Sequence, residues 1–120
     1  MVSVSVAFTI EGRLPSLNDI ISACRTHHYA GAAQKKQAER DILPQIPPQQ
    51  MPHRFNLHLC WHCPNSRRDP DNIAAGVKFI LDSLQTAGTI PNDGWGQVAS
   101  IHHTFEIADR DYVEVRLEDA

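Results

Sequence analysis

Two arginines and two carboxylates stand together in the stretch Arg67-Arg68-Asp69-Pro70-Asp71-Asn72. Carboxylates separated by a single residue repel each other, so a bound cation is their natural occupant. Adjacent guanidinium groups suit a phosphate, which they can hold through paired hydrogen bonds. A cation and a phosphate at one stretch of chain indicate phosphodiester chemistry.

The two carboxylates fall where a helix is expected to begin. Asp69 is a good N-cap and Pro70 a good first helical residue, which puts Asp69 and Asp71 at the positive end of the helix dipole. Lys78 follows Asp71 by seven residues, almost two turns, and so lies on the same side of that helix. Asp93 comes later, in a separate turn, and joins the group only if the chain folds back. The alternative is structural: a capping Asp69, a dipole-matched Asp71 and a solvated Lys78.

Alternation and helical spacing predict the elements that must position these side chains. Val2, Val4, Val6, Phe8 and Ile10 alternate with small or polar residues, which indicates a half-buried strand. In the second strand one face is apolar and the other holds Asn56, His58, Cys60 and His62. The predicted strands cover 2–10, 54–62, 98–107 and 112–117, and the predicted helices cover 30–42 and 70–87. The order β-α-β-α-β-β predicts an α/β (α+β) fold with a small mixed sheet of about four strands and two main helices.

Length, charge and cysteine count restrict the class of protein. The 120 residues suit one domain over 1–120. Residues 1–80 carry a charge of +3 and the rest −6, so a nucleic-acid contact is expected from the first part, although an unevenly charged solvated surface gives the same pattern. No apolar run approaches the ~20 residues of a membrane span. The three cysteines cannot all pair within one chain, which favours reduced thiols and a cytoplasmic protein.

Several motifs together resemble the RusA family, the Holliday junction resolvases of bacteria and their phages. The motifs are Asp69-Pro70-Asp71-Asn72, the amphipathic helix with Lys78, Ala87-Gly88, Asn92-Asp93, and Pro15-Ser16-Leu17-Asn18 after the first strand. The resemblance covers most of the chain, with its specific part in residues 67–95. Two details depart from the family: Lys78 is further from the second aspartate than is usual, and Asn92-Asp93 stands where Asp-Asp is common.

The resemblance implies a Mg²⁺-dependent endonuclease, with Mn²⁺ as a substitute metal, that resolves four-way DNA junctions by paired symmetric nicks in recombination and repair. It also implies a homodimer and a bacterial or prophage origin. Carried over residue by residue, the catalytic group is Asp69, Asp71, Lys78 and Asp93, of which the three aspartates hold the metal. The expected DNA contacts are Asn18, Lys35, Lys36, Arg40, Arg67, Arg68 and Asn72.

A zinc site is the competing interpretation. Cys60 and Cys63 have the spacing of a zinc-binding pair, and Cys24 with His27 or His28 could complete a tetrahedral set. That reading suits a non-catalytic DNA- or protein-binding module on the same fold. Trp95, which follows a turn, is expected to cover the edge of the core rather than to stack on a base.

Overall fold

A four-stranded mixed sheet forms the centre of the protein in a computed structural model that describes residues 4–120. The strands are β1 (Ser5–Glu11), β2 (Phe55–Cys63), β3 (Val98–Ile107) and β4 (Tyr112–Asp119), arranged in the order β1-β4-β2-β3. β4 pairs antiparallel with β1 and β2, whereas β2 and β3 are parallel. The predicted mixed sheet is therefore confirmed, while Val2 and Ser3 of the predicted first strand lie outside the described residues.

The helices are α1 (Leu17–Thr26), α2 (Ala30–Ile42), α3 (Pro70–Ala74) and α4 (Val77–Thr86), with a 3₁₀ turn at Leu43–Gln45. The prediction of α2 is confirmed, but α1 was not predicted. A capping box starts α1: the Ser16 side chain accepts a hydrogen bond from the Asp19 amide, and the Asp19 carboxylate accepts one from the Ser16 amide at 2.9 Å. Leu17, Ile20, Ile21 and Cys24 also have helical spacing, so both the capping box and the apolar residues mark this helix.

The two faces of β2 divide the sheet as its alternation predicts. Leu57, Leu59 and Trp61 are buried in the core, which also contains Ile42 of α2 and Ile80 of α4. Successive side chains of a strand point to opposite faces of the sheet, so His58, Cys60 and His62 lie on the other face. That face is made of polar and short side chains from all four strands, and we call it the open face.

The helix predicted over residues 70–87 is broken into α3 and α4 around Gly76. The Gly76 amide donates a hydrogen bond to the Ile73 carbonyl, and the Lys78 amide donates one to the Ala75 carbonyl. Both bonds span three residues, as in a 3₁₀ helix, rather than the four of an α-helix. A Cβ on Gly76 would lie 2.9 Å from Cη2 of Trp61. Close approach to a core tryptophan therefore requires glycine here, and the predicted face relation between Asp71 and Lys78 no longer follows from one continuous helix.

The proline-rich connector after α2, residues 43–52, is anchored to the core through Met51. Met51 is fully buried, and its amide donates a 2.7 Å hydrogen bond to the carbonyl of Thr89. No helix among residues 4–120 has the length and apolar character needed to cross a membrane.

Parallel pairing fixes where the connections of β2 and β3 lie. Phe55 is opposite Val98 and Cys63 is opposite Ile107, so the chain must return along the whole sheet between the two strands. α3 and α4 make that return. The chain therefore leaves β2 at one end of the sheet and enters β3 at the other end.

Candidate functional site

Asp69 and Asp71 lie at the amino end of α3 with both side chains exposed. Asp69 is the N-cap residue, and its carbonyl accepts hydrogen bonds from the amides of Asn72 and Ile73. Its side chain makes no capping hydrogen bond. The helix therefore does not use the Asp69 carboxylate, and capping does not compete with metal binding for this side chain. Exposed carboxylate oxygens are the donors that Mg²⁺ takes in proteins, so the donor type fits.

The two arginines before this stretch differ in their surroundings. Arg68 makes a 2.9 Å ion pair with Asp111, which follows the β3–β4 turn, and its guanidinium also lies 3.6 Å from the Cys63 sulfur. Arg67 is exposed, and its amide donates to the Asn65 side chain. Arg67 is thus the freer cation, while Arg68 ties the loop after β2 to the sheet.

Asn72 connects α3 to the first turn of α1. Its side-chain oxygen accepts a 2.9 Å hydrogen bond from the backbone amide of Asn18, the second residue of α1. The Pro15-Ser16-Leu17-Asn18 segment is therefore fixed beside the amino end of α3. Two segments that are far apart in the sequence and that carry the predicted contacts meet at this point.

Lys78 is held by a carboxylate that sequence reasoning did not consider. Its Nζ lies 3.1 Å from Asp82, one turn later on α4, and Lys35 of α2 approaches the same carboxylate at 3.5 Å. Asp82 is only 11% exposed, whereas both lysine side chains are largely exposed. The two predicted cations therefore form one basic pair across α2 and α4. Lys36 and Arg40, also on α2, are exposed.

Asp93 is at the other end of β3 from Asp69. Asp93 and Trp95 line a shallow groove with the first residues of β3, from Val98 to Ile101. Asp69 lines a different groove with the last residues of that strand, Phe105 to Ile107. A rise of about 3.3 Å per residue makes this separation on the order of 20 Å. One protomer thus places Asp69 and Asp71 at the amino end of α3 but leaves Asp93 apart from them.

The prediction for Trp95 is wrong. Its side chain is 94% exposed, although it was expected to cover the core. Ile101, Phe105 and Ile107 of β3 are exposed as well. They share the face of the buried Leu57, Trp61 and Cys63, but β3 extends past the cover of the helices. An apolar strip therefore runs along one edge of the sheet.

A second group of ligand atoms lies on the open face. Among residues 4–120, a single group of three or more Cys, His, Asp or Glu residues has its ligand atoms within 4.8 Å of one another, and it consists of Cys60, His62 and Glu106. We call it the Cys60 cluster. Sequence reasoning identified Cys60 and His62 on one strand face, but Glu106 joins them only through the pairing of β2 with β3.

The alternative Cys60–Cys63 zinc pair does not form. Residues three apart in a strand point to opposite faces, so Cys63 enters the core side and is 7% exposed while Cys60 stays on the open face. Burial raises the pKa of the Cys63 thiol, which disfavours the thiolate that zinc requires. Cys24, His27 and His28 join no ligand group among the described residues.

The sequence matches no family model and no curated protein significantly. The resemblance to the RusA family therefore rests on the sequence motifs alone.

Proposed function

We propose that this protein is a Mg²⁺-dependent endonuclease for branched DNA, and that each active site takes Asp69 and Asp71 from one protomer of a homodimer and Asp93 from the other. The observation that carries the proposal is the pair of exposed carboxylates at the amino end of α3, neither used by the fold. Both carboxylates are therefore available to a cation such as Mg²⁺, which takes carboxylate oxygens as ligands.

Sharing between protomers follows from the position of Asp93. Because it lies at the opposite end of β3, it cannot coordinate the same ion as Asp69 within one chain. In an antiparallel pair of strands, the start of one strand lies beside the end of the other. Two copies joined through their β3 edges would therefore bring the partner's Asp93 toward Asp69 and Asp71.

The β3 edge has the character of such an interface. Among the described residues β3 pairs only with β2, so its other edge offers free backbone donors and acceptors. The exposed Ile101, Phe105 and Ile107 follow this edge, and Trp95 stands near its start. A twofold pairing would cover these apolar side chains and produce two equivalent sites, as symmetric nicking of two strands requires.

Mg²⁺ bound by the three aspartates would act as a Lewis acid on the scissile phosphate and lower the pKa of an attacking water. Lys78 neutralises charge on the phosphate oxygens, a role it can take by exchanging Asp82 for the substrate. Arg67 binds a neighbouring backbone phosphate, and Asn72 fixes the first turn of α1, which contains Asn18. Arg68 ties the loop after β2 to the sheet through Asp111.

The remaining DNA contacts are proposed for α2. Lys35, Lys36 and Arg40 are exposed there, and Lys35 reaches the same carboxylate as Lys78. This basic group extends from the reacting phosphate along the DNA backbone. Binding that rests on such contacts weakens steeply as the salt concentration rises.

Mixed dimers test the proposal. Asp71→Asn and Asp93→Asn protomers with different affinity tags are co-expressed, purified through both tags, and assayed for Mg²⁺-dependent nicking of a synthetic four-way junction. Each parent variant is expected to be inactive. The mixed dimer retains one complete site in two and should nick at roughly half the wild-type rate. Inactivity of the mixed dimer would contradict a shared site.

The matched control places both substitutions in one protomer beside a wild-type partner. A shared site then has a defect at each position, and the dimer should not nick. If this control is active, each site belongs to a single chain. Three-way and linear DNA in the same assay separate a junction resolvase from a nuclease without preference for branches. An inactive wild-type protein with all these DNAs overturns the proposed activity.

A further inference from the structure

The Cys60 cluster lies outside the proposed nuclease site. Cys60 and His62 are alternate residues of β2, so both side chains leave the same face of the sheet. Glu106 is the register partner of His62 on the parallel strand β3. Its carboxylate is therefore placed directly beside the His62 ring, and the three ligand atoms lie within 4.8 Å of one another.

The His62 ring is held in one orientation by two contacts. It stacks on Tyr112 of β4 with ring centroids 4.0 Å apart and an angle of 6° between the planes. Its Nε2 lies 2.6 Å from a carboxylate oxygen of Glu114. The ring is 7% exposed, so little room remains for it to turn. Nδ1 then faces Glu106 at 3.8 Å.

This arrangement is compatible with the tautomer that a metal needs. In the neutral ring that donates its Nε2 proton to Glu114, the lone pair of Nδ1 is directed toward Glu106 and the side of Cys60. A carboxylate behind a metal-ligating histidine is the usual partner that orients the ring and raises its basicity. The two carboxylates thus have separate roles, Glu106 as a ligand and Glu114 as the support of a ligand.

We propose that Cys60 Sγ, His62 Nδ1 and a Glu106 oxygen bind Zn²⁺ on the open face of the sheet. Thiolate, imidazole and carboxylate together suit a borderline metal such as Zn²⁺, whereas Mg²⁺ avoids sulfur. Bonds of about 2.0–2.3 Å in a tetrahedral site separate the ligand atoms by roughly 3.3–3.6 Å. The observed 3.8 Å between Nδ1 and Glu106 is close to that spacing, and the exposed Glu106 side chain can close the gap.

Zinc in this position would connect two strands. β3 is an edge strand, and Glu106 lies near its end. Coordination by two β2 residues and one β3 residue fixes the edge to the middle of the sheet. Three protein ligands leave the fourth position to a water or a second ligand atom on the solvent side.

The test uses Co²⁺ as a spectroscopic substitute for Zn²⁺ on the full chain. Wild-type protein should bind one equivalent, with a thiolate-to-cobalt charge-transfer band in the near ultraviolet and the intense visible bands of tetrahedral cobalt. Added Zn²⁺ should remove both. The Cys60→Ala variant should lose the charge-transfer band, and Cys24→Ala, which changes an exposed thiol of α1, should keep it.

Glu106→Gln provides a second measurement, because this exposed side chain can be changed without disturbing the core. Its Zn²⁺ affinity, measured by competition with a chromogenic chelator, should fall at least about tenfold, the usual minimum cost of a lost metal interaction. The proposal is overturned if the wild type shows no thiolate band, if the band survives in Cys60→Ala, or if Glu106→Gln binds Zn²⁺ as tightly as wild type. None of these readouts depends on nuclease activity.

Discussion

The amino end of α3 and the Cys60 cluster are both groups of ligand atoms, but they are assembled in different ways. Asp69 and Asp71 are neighbours in the chain, and both face solvent without partners from the fold. Cys60, His62 and Glu106 come from two strands, and the histidine is buried and hydrogen-bonded. Asp69 and Asp71 offer hard oxygen ligands, and the third predicted aspartate is distant within one protomer. The Cys60 cluster offers softer sulfur and nitrogen ligands, and all of its protein ligands come from one chain. The two proposals therefore assign two metals with two tasks, one in turnover and one in holding the sheet edge.

The largest expected effect separates the two sites. Asp71→Asn should reduce Mg²⁺-dependent junction cleavage by roughly 10³-fold, because a metal supplies several kcal/mol of transition-state stabilisation and each 1.4 kcal/mol is about tenfold in rate. The same variant should keep the cobalt–thiolate band. Cys60→Ala should show the opposite pattern, with the cobalt–thiolate band lost and cleavage within about twofold of wild type at saturating Mg²⁺.

Loss of both properties in either variant would mean that the two regions form one functional unit. A light-scattering measurement on each variant is the necessary control. It establishes that the oligomeric state is unchanged, so that any loss of cleavage reflects the site and not the β3 edge.

The comparison also shows what the sequence could reveal. Alternation along β2 predicted which side chains share the face of Cys60, and helix-start chemistry predicted Asp69 and Asp71 beside each other. Glu106 could not be found in this way, because its place beside His62 depends on the register of β2 with β3. The Cys60–Cys63 spacing was misleading, since a zinc pair of this spacing needs a turn and the chain makes a strand.

The helices give a similar lesson. Ser16 and Asp19 form a readable capping box, and Leu17, Ile20 and Ile21 have helical spacing. α1 was not predicted because residues 19–30 run across the end of α1 and the start of α2 and so show no single period. The break at Gly76 arises from its contact with Trp61, a residue of another element. Local signals therefore predict where helices start, and tertiary contacts decide where they bend.

The support given to His62 is the next test of the cluster. Glu114→Gln keeps the size of the side chain but removes the charge that favours the Nδ1-ligating form. We expect Zn²⁺ affinity to fall about 10–100-fold, as is usual when the carboxylate behind a metal-bound histidine is changed. Glu118→Gln, on the same strand face and near His58, is the matched control and should leave the affinity unchanged. Chelator competition measures both, and equal affinities in the two variants would contradict the orienting role of Glu114.

The close contact between Gly76 and Trp61 predicts a smaller effect, which is on the free energy of unfolding. Gly76→Ala places a methyl group against the Trp61 ring, and overpacking of this kind typically costs about 1–3 kcal/mol. Gly31→Ala is the control within a helix: its Cβ would meet only the Cys24 sulfur at 3.3 Å, and alanine favours helix by up to about 1 kcal/mol. Urea unfolding of the two variants should therefore shift the midpoint in opposite directions. A Gly76→Ala protein as stable as wild type would show that the ring can move and that α3 is not fixed by it.

The smallest expected effect is a difference in stability between variants of two aspartates at helix starts, Asp19 and Asp69. Asp19 belongs to the capping box of α1, and the hydrogen bond from the Ser16 amide, its largest influence, lowers the pKa of its carboxyl. A carboxyl with a lowered folded pKa contributes stability above its unfolded pKa and loses it as the pH falls through the folded value. Asp19→Asn should therefore be less stable than wild type at neutral pH, within the ~1 kcal/mol typical of a cap, and should converge with it in acid.

Asp69→Asn should behave differently, because the Asp69 side chain makes no capping hydrogen bond. Its free energy of unfolding should stay within about 0.5 kcal/mol of wild type at neutral pH. Urea unfolding between neutral and acidic pH measures both variants side by side. If Asp69→Asn lost as much stability as Asp19→Asn, Asp69 would serve the helix, and the argument for a carboxylate kept free for a cation would fail. If it loses none while cleavage disappears, the amino end of α3 is maintained for function at no benefit to the fold.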